Sequence, residues 1–123
     1  MRISEVYRPQ LLTCEASDPL PAVAQKMVAG SVGALAVVDG TRIAGIISER
    51  DITRAVAENG AAGSHTAADY ASSDLEVATL NDETSQVARR MLEASVRHLP
   101  VMEDNEMIGM VSIRDLLAVE TWA

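Results

Sequence analysis

Residues 45–51 read Gly-Ile-Ile-Ser-Glu-Arg-Asp, and residues 109–115 repeat the pattern as Gly-Met-Val-Ser-Ile-Arg-Asp. The two heptapeptides lie 64 positions apart, and the same spacing aligns residues 11–56 with residues 75–120 without a gap. Thirteen of the 46 aligned pairs are identical, and several of the others exchange one aliphatic residue for another. Because self-similarity at a fixed spacing is typical of a duplicated structural unit, we interpret the chain as two copies of one unit.

Each copy is predicted to fold as β-α-β-β-α, since apolar residues recur at helical spacing in its first helix and short apolar runs indicate its strands. The first copy is predicted to contain a strand over 11–14, a helix from Asp18 to Gly30, hairpin strands over 35–38 and 43–47, and a helix over 49–59. The second copy is predicted to contain a strand over 76–79, a helix from Asp82, hairpin strands over 99–102 and 107–111, and a helix over 113–120.

Turn and cap residues mark the ends of these elements. Asp18 and Asp82 are expected to cap their helices through their carboxylates, and Pro19 suits the first helical position. Residues 39–40 (Asp-Gly) are a strong signal for a tight hairpin turn, whereas residues 103–106 (Glu-Asp-Asn-Glu) predict a longer polar turn in the second copy.

The whole chain is expected to form one compact module of the α/β (α+β) class. Its 123 residues suit a single domain, and a unit of about 60 residues would bury only a marginal core alone. We therefore predict two pseudo-symmetric units that pack on each other, unit 1 over residues 1–62 and unit 2 over residues 65–123, with a flexible connector at residues 60–65. Residues 67–71 align with residues 3–7, so each copy is also expected to have a short helical lead-in.

Composition and charge argue against several classes of function. Apolar residues make up 48% of the chain and phenylalanine is absent, so the core must be aliphatic. The net charge of −8 and the lack of a basic run argue against binding to nucleic acid or to a membrane. The sequence shows neither a signal peptide nor a membrane span, so a cytoplasmic location is expected. Cys14 is the one cysteine and is expected to lie in the core.

The repeated heptapeptide has two interpretations. Ser48 and Ser112 each stand three residues before an aspartate, Asp51 or Asp115, which is a capping-box pattern that stabilises a helix start without any ligand. The same helix start also offers amides and the positive end of the helix dipole to an anion, a serine hydroxyl to a phosphate, and a carboxylate to two ribose hydroxyls. The glycine that opens each heptapeptide would let a ligand approach the backbone closely. The sequence leaves both interpretations open.

The duplicated unit and four segments together closely resemble the CBS-domain family over essentially the whole chain. The segments are residues 37–40 (Val-Val-Asp-Gly), 45–51, 97–101 (Arg-His-Leu-Pro-Val) and 109–115. The resemblance implies that the two CBS units pair into a flat module and that two modules associate as a homodimer. It further implies that clefts between the units bind AMP, ADP, ATP or S-adenosylmethionine, with Asp51 and Asp115 taking the ribose hydroxyls and Ser48 and Ser112 facing phosphate.

Basic residues near the heptapeptides are further candidates for the nucleotide-binding site. Arg50 and Arg114 are candidate phosphate partners, although a solvated helix arginine is equally compatible with each. Arg97 and His98 stand where some nucleotide-binding members of the family carry basic residues that face phosphate, whereas the first copy has residues 33–34 (Gly-Ala) there. This difference predicts that the two clefts are unequal and that only one binds a charged nucleotide well. A packed or surface histidine is an equal alternative at His98.

Four residues are candidates for contacts with the adenine ring. The family places its first strand and the turn after it near the base, and the resemblance therefore points to Thr13 and Ala16 in the first copy and to Val77 and Leu80 in the second. Plain core packing is the alternative for the apolar members of this set.

The sequence therefore predicts a stand-alone regulatory module that senses an adenosine nucleotide, AMP or ATP above all, and signals to a separate effector protein. Such a module suits energy sensing. No enzyme activity, catalytic residue, cofactor or metal site is expected, because one cysteine and two distant histidines supply neither a nucleophile with its base nor a metal cluster. The alternative function is a ligand-free dimeric scaffold whose duplicated fold only provides an interaction surface.

Overall fold

The computed structural model describes residues 1–9, 12–60, 64–73 and 76–122. Contacts divide the chain into two compact units. We call Leu12–Leu75 the Asp51 unit, and Met1–Leu11 together with Glu76–Ala123 the Asp115 unit, after the last residue of each heptapeptide. Each unit contains a three-stranded sheet and repeats the β-α-β-β-α order, so the predicted α/β (α+β) class and the duplication are confirmed.

The Asp51 unit is built around a central strand. Its elements are β1 (Thr13–Glu15), α1 (Leu20–Gly30), β2 (Ala34–Asp39), β3 (Arg42–Ser48), α2 (Glu49–Asn59) and α3 (Ala67–Tyr70). Strand β2 is parallel to β1 and antiparallel to β3. Leu20, Val23 and Met27 recur at helical spacing on α1 and belong to one buried cluster with Leu35 and Val37 of β2. This aliphatic core joins the helices to the sheet.

The Asp115 unit repeats this arrangement. Its elements are a short 3-10 helix (Ile3–Glu5), β4 (Ala78–Thr79), α4 (Thr84–Ala94), β5 (His98–Glu103), β6 (Glu106–Ser112) and α5 (Ile113–Trp122). Strand β5 is parallel to β4 and antiparallel to β6. Val87 and Met91 of α4 are fully buried and share a cluster with Leu116 of α5. The buried hydroxyl of Thr84 donates to Glu120 Oε1 at 2.5 Å and so joins the start of α4 to α5.

Each lead-in packs on the copy to which it does not belong in sequence. The Ile3 N–H donates to Asp82 O at 2.9 Å, and the N-terminal 3-10 helix is part of the Asp115 unit. The Ala67 N–H donates to Asp18 O at 2.9 Å, and α3 is part of the Asp51 unit. Ile3 and Ala67 are both fully buried. The predicted unit boundaries follow the sequence repeat, whereas the contacts group each lead-in with the other copy.

The first helix of each copy begins later than predicted, because Asp18 and Asp82 do not cap it. Pro19, expected as the first helical residue, instead precedes α1 as its N-cap. Asp18 Oδ2 accepts from the N–H of Glu15, and Asp82 Oδ2 accepts from the N–H of Thr79, both at 2.9 Å. Each carboxylate therefore closes the turn between the first strand and the helix, and it satisfies a turn amide in place of a helix amide.

Both hairpins turn over two residues. Gly40, with φ of 66°, and Thr41 join β2 to β3, so a tight turn forms as predicted but one residue later than residues 39–40, because Asp39 ends β2. Asp104 and Asn105, with φ of 51° and 66°, join β5 to β6. The prediction of a longer second turn is therefore wrong. Short polar side chains tolerate the left-handed conformation that such a turn requires, so this pair replaces glycine.

The first strands are short, and the second helix of the first copy has the predicted bounds. Strand β1 ends at Glu15, and β4 covers only Ala78–Thr79. The helix predicted over residues 49–59 is α2. The predicted start of β1 at residue 11 and the centre of the predicted connector, residues 61–63, lie outside the described residues.

Candidate functional site

Each heptapeptide forms the junction between the last strand of its unit and the helix that follows. At the Asp51 junction, Ser48 ends β3 and precedes α2. Ser48 Oγ accepts from the N–H of Asp51 at 3.3 Å, and Asp51 Oδ2 accepts from the N–H and the hydroxyl of Ser48 at 2.8 and 3.0 Å. These bonds complete a capping box, so the structural interpretation of the Ser-x-x-Asp pattern is confirmed here.

The Asp115 junction has the same cap and one additional partner. The Asp115 N–H donates to Ser112 Oγ at 3.1 Å, and Asp115 Oδ2 accepts from the Ser112 N–H at 3.4 Å. Arg8 also holds this carboxylate with two bonds, from Nε to Oδ2 at 3.2 Å and from Nη2 to Oδ1 at 3.0 Å. The sequence reasoning missed Arg8, because it stands in the lead-in, outside the aligned 46 residues of each copy.

The ion pair between Arg8 and Asp115 is charge-assisted and partly buried. Burial alone would raise the pKa of Asp115, but the hydrogen bonds from Arg8 and Ser112 outweigh it and hold that pKa below its usual value. The hydrogen bond to Asp115 and its negative charge raise the pKa of Arg8. The side chain of Asp115 is 14% exposed, while that of Arg8 is 62% exposed. The pair is therefore ionised at neutral pH.

The Asp51 carboxylate has a weaker cationic neighbour. Arg54 lies one turn further along α2, and its Nη2 is 3.5 Å from Asp51 Oδ1. The guanidinium of Arg54 also lies 5.4 Å from the centre of the Tyr70 ring. No residue in the described ranges donates a hydrogen bond to Asp51 Oδ1. Among the described residues, Oδ1 of this carboxylate is therefore held only by the ion pair with Arg54.

The structure brings Arg97 and His98 to the Asp115 junction. The Ile113 N–H, at the start of α5, donates to Arg97 O at 2.8 Å. His98 is half-buried and lies opposite Ser112 in the register of β5 and β6. At the Asp51 junction residues 33–34 take the equivalent places, with Ala34 opposite the capping serine. The predicted difference between the copies is therefore located beside the caps, and its effect on nucleotide binding stays a prediction.

Arg50 and Arg114 lie exposed on the first turns of α2 and α5. Neither side chain makes a hydrogen bond or an ion pair with any residue that the structure describes. Both guanidinium groups are therefore accessible to a phosphate or to water, and their role as phosphate partners stays a prediction.

The glycine that opens each heptapeptide makes room for a lead-in backbone. A Cβ atom on Gly45 would lie 2.5 Å from Ser72 O, and a Cβ atom on Gly109 would lie 2.2 Å from Arg8 O. Ser72 and Arg8 each form an antiparallel backbone pair with the adjacent strand, β3 or β6. Protein backbone therefore fills the Cβ side of each glycine, and the approach of a ligand to these glycines stays a prediction. Arg8 and Ser72, 64 positions apart, occupy equivalent places in the two units.

The candidate adenine contacts fall into two pairs. Thr13 at the start of β1 and Val77 just before β4 are exposed. Ala16 and Leu80, in the turns after these strands, are half-buried and pack against the core of their own unit. The Ala16 N–H donates to Val38 O at 2.9 Å, which places it near the end of β2, away from the junction at the start of that strand. Contact of any of the four with a base stays a prediction.

The remaining features of the described residues concern metal binding, membrane crossing and the thiol of Cys14. Within the described ranges, no group of three or more His, Cys, Asp or Glu side chains could hold a metal ion. None of the helices described there has the length and apolar character needed to cross a membrane. Cys14 is buried as predicted, and its burial raises the pKa of the thiol to about 11.

The two units are equivalent, and each carries a capped aspartate at the junction of a strand and a helix. This arrangement is that of a protein made of two paired α/β units. The family model for the CBS domain matches residues 3–58 and 67–120. The chain therefore belongs to the CBS-domain family and contains a pair of CBS domains.

Relatives and solved structures agree with this assignment. The chain is 34% identical over 112 residues to the mitochondrial CBS domain-containing protein CBSX3 of Arabidopsis thaliana, a match that covers 86% of this chain and 54% of that protein. It therefore spans about half the length of this relative. The crystal structure of the CBS-domain containing protein ATU1752 from Agrobacterium tumefaciens has a TM-score of 0.92 and 25% identity, and the match covers 98% of this chain and 99% of that one.

Proposed function

We propose that this CBS pair binds an adenosine-containing nucleotide at the Asp51 and Asp115 junctions and that occupancy signals to a separate effector protein. AMP, ADP, ATP and S-adenosylmethionine are the candidate ligands. The observation that carries the proposal is the Asp51 junction, where a carboxylate oxygen without a hydrogen bond from the described chain stands beside the amino end of α2.

The chemistry of this junction suits a ribose and a phosphate. A carboxylate accepts hydrogen bonds only, so Asp51 is matched to the vicinal hydroxyl groups of a ribose. The first turn of α2 directs backbone N–H groups and the positive end of the helix dipole to the same place, which favours a phosphate. The exposed guanidinium groups of Arg50 and, at the other junction, Arg97 add positive charge there, and His98 lies beside the second cap. The cap and the ligand role are compatible, because the capping box uses Oδ2 and leaves Oδ1.

A chain of the same fold supports the choice of an adenosine ligand. The CBS domain pair of protein MJ0100 was crystallised in complex with 5′-methylthioadenosine and S-adenosyl-L-methionine. It has a TM-score of 0.89 and 19% identity, and the match covers 99% of this chain and 97% of that one. At this identity the likeness concerns the fold, so the ligand of the present chain belongs to the proposal.

A ligand-free dimeric scaffold is the second candidate function, and exposed apolar side chains favour it. Val28 on α1 and Leu92 on α4 stand at equivalent positions and are 80% and 65% exposed. Contiguous exposed apolar patches mark contact with a partner, so these two positions are candidates for contact with a second chain. A homodimer is also part of the first proposal, as are a cytoplasmic location and the absence of catalysis, so dimerisation alone does not separate the two candidates.

A thermal-shift experiment tests the ligand proposal. Purified protein is heated with AMP, ADP, ATP, NAD or S-adenosylmethionine, with GTP as the control nucleotide. A ligand that binds only the folded state adds about 2.7 kcal/mol to the unfolding free energy at 100 times its dissociation constant, which is about 10 °C for a domain of this size. We expect such a shift with one adenosine compound and none with GTP. No shift at millimolar concentrations would favour the scaffold.

The variant Asp51→Asn separates the ligand role from the cap. Asparagine keeps an acceptor for the Ser48 N–H but loses the charge, so the ligand shift should fall while the cap remains. Asp69→Asn is the matched control, because Thr66 and Asp69 form another capping box, at α3, with the Thr66 N–H donating to Asp69 Oδ2 at 2.9 Å. Equal ligand shifts in the two variants would show that the Asp51 carboxylate takes no part in binding.

A further inference from the structure

We infer that Arg8 is a built-in competitor for the ligand at the Asp115 junction, so that the Asp51 junction fills first. This inference rests on the proposed function, and it gives Arg8 a role that is specific to one of the two copies. Arg8 would then be the residue that makes two otherwise equivalent sites unequal.

The competition follows from the geometry of the carboxylate. Arg8 presents two neighbouring N–H groups to Asp115, one to each oxygen, at 3.2 and 3.0 Å. A ribose presents two neighbouring hydroxyl groups, and at Asp115 these would need Oδ1, the oxygen that the cap leaves and that Arg8 Nη2 already occupies. Because the cap already uses Oδ2 for the Ser112 N–H, the carboxylate lacks room for a guanidinium and a diol together. Binding of ribose at Asp115 therefore requires Arg8 to leave.

The Asp51 junction lacks this obstacle. Its equivalent of Arg8 is Ser72, which makes the same backbone pair with β3 but carries no charge. The cation near Asp51 is Arg54, a single contact of 3.5 Å from a side chain that is 53% exposed. Such an exposed pair within one helix stabilises by only a few tenths of a kcal/mol in general, so a ligand displaces it easily.

The backbone of Arg8 is fixed, which makes it an effective competitor. The Arg8 N–H donates to Met110 O at 2.8 Å, and the Met110 N–H donates to Arg8 O at 2.9 Å. The bare Cα of Gly109 allows this close approach, since a Cβ there would lie 2.2 Å from Arg8 O. Only the side chain of Arg8 must then become ordered to reach Asp115. Forming the ion pair therefore costs less conformational entropy.

Arg97 and His98 do not remove the inequality. These basic groups stand beside the Ser112 cap and would attract a phosphate, whereas Arg8 holds the carboxylate that would take the ribose. A nucleotide at the Asp115 junction therefore gains phosphate contacts but must displace a bidentate ion pair. If the ion pair is open for about one tenth of the time, the apparent dissociation constant rises about tenfold.

Titration calorimetry with AMP, ADP, ATP and S-adenosylmethionine, each in turn, tests the inference on the full chain. Asp51→Asn first weakens the Asp51 junction, and Arg8→Ser is then added in that background. Serine is native at the equivalent position, Ser72, so the backbone pair with β6 should persist and the variant should fold; circular dichroism and the melting temperature check this. We expect Arg8→Ser to tighten binding about tenfold and Asp115→Asn, added third, to abolish the gain.

Two controls separate the possible causes. Arg8→Lys keeps the charge but loses the bidentate fork, so it should give an intermediate gain. Arg54→Ala in the Asp115→Asn background tests the Asp51 junction in the same way, with the alanine that is native at the equivalent position, Ala118. It should change affinity by less than about twofold, because the ion pair of Arg54 is exposed and long.

The outcomes distinguish the inference from the proposed function. If wild type binds a compound but Arg8→Ser leaves binding in the Asp51→Asn background unchanged, the inference fails and the proposed function stands. If Arg8→Ser weakens binding, Arg8 is a ligand contact and the inference is overturned. If none of the four compounds binds wild type or any variant, the proposed function fails and the inference fails with it.

Discussion

The Asp51 and Asp115 junctions have the same backbone and the same cap, but different charged neighbours. In both, a serine and an aspartate three residues apart exchange hydrogen bonds at a helix start. In the Asp115 junction the carboxylate is also held by an arginine from the lead-in, whereas in the Asp51 junction the nearest arginine comes from the same helix. The repeat therefore keeps the residues that the fold needs, and the two junctions differ in single side chains near its ends.

The largest expected effect concerns the lead-ins, which differ in the size of their buried anchor. Ile3 and Ala67 stand at equivalent positions and both are fully buried. Ile3→Ala should lower the free energy of unfolding by about 3 kcal/mol, because it removes buried methyl and methylene groups and leaves a cavity. Urea unfolding measures this, and Val28→Ala, at a site that is 80% exposed, should cost less than about 0.5 kcal/mol. If Ile3→Ala lowers the free energy of unfolding by an equally small amount, the lead-in adds little to the stability of the Asp115 unit.

The next effect concerns the glycines that admit the lead-in backbones. Gly109→Ala should cost about 2 kcal/mol, because its Cβ would lie 2.2 Å from Arg8 O and 2.7 Å from the Tyr7 ring, and backbone cannot move cheaply. Gly45→Ala should lower the free energy of unfolding by about 1 kcal/mol, since its Cβ would lie 2.5 Å from Ser72 O. Thermal unfolding of both variants checks the order. The reverse order would show that Ser72 is held more rigidly than Arg8.

A double-mutant cycle measures the difference between the two ion pairs. Arg8→Ser and Asp115→Asn should show a coupling of about 1 kcal/mol, because the pair is bidentate and the carboxylate is mostly buried. Arg54→Ala and Asp51→Asn should show about 0.3 kcal/mol. Since the pKa of Asp115 is depressed in the folded state, its contribution is complete above the ordinary carboxyl pKa and is lost as the pH falls through the folded value. Equal coupling energies for the two ion pairs would contradict the predicted difference between the two junctions.

The last effect, at the ends of the first helices, should be equal in both units. Ser31 and Ser95 follow α1 and α4 in the left-handed conformation, with φ of 53° and 57°. Replacing either serine with glycine should stabilise the protein by about 0.5 kcal/mol, because glycine adopts this conformation without the steric cost of a Cβ. Thermal unfolding at matched protein concentration measures both variants. A gain at only one of the two would show that the helix ends differ as the junctions do.

The fold could be predicted because its signals are local and occur twice. The repeated heptapeptide marks the strand-to-helix junctions, and α2 has the predicted bounds. The errors arose where one short polar residue serves several structures. Asp18 was expected to cap a helix but closes a turn, and the pair at residues 104–105 forms a tight turn without glycine. Aspartate and asparagine make such local bonds in caps and in turns alike, so the sequence alone does not distinguish them.

The candidate site could be predicted only in part. The Ser-x-x-Asp pairs are visible in the repeat, and their capping bonds follow from local spacing. Arg8 was missed because its partner is 107 positions away, and a repeat reveals what the copies share rather than where they differ. The packing of each lead-in was equally hidden, since the spacing of 64 is the same whichever copy the lead-in contacts.

The exchange of the lead-ins has a consequence for what one copy could be by itself. A chain that held a single copy would carry a lead-in with no place on its own sheet and a sheet that lacks its lead-in. Two such chains could form complete units only by exchanging these segments, as domain-swapped dimers do. In the present protein this exchange of segments takes place within one chain. Its halves, expressed separately, would therefore be complementary fragments rather than independent domains.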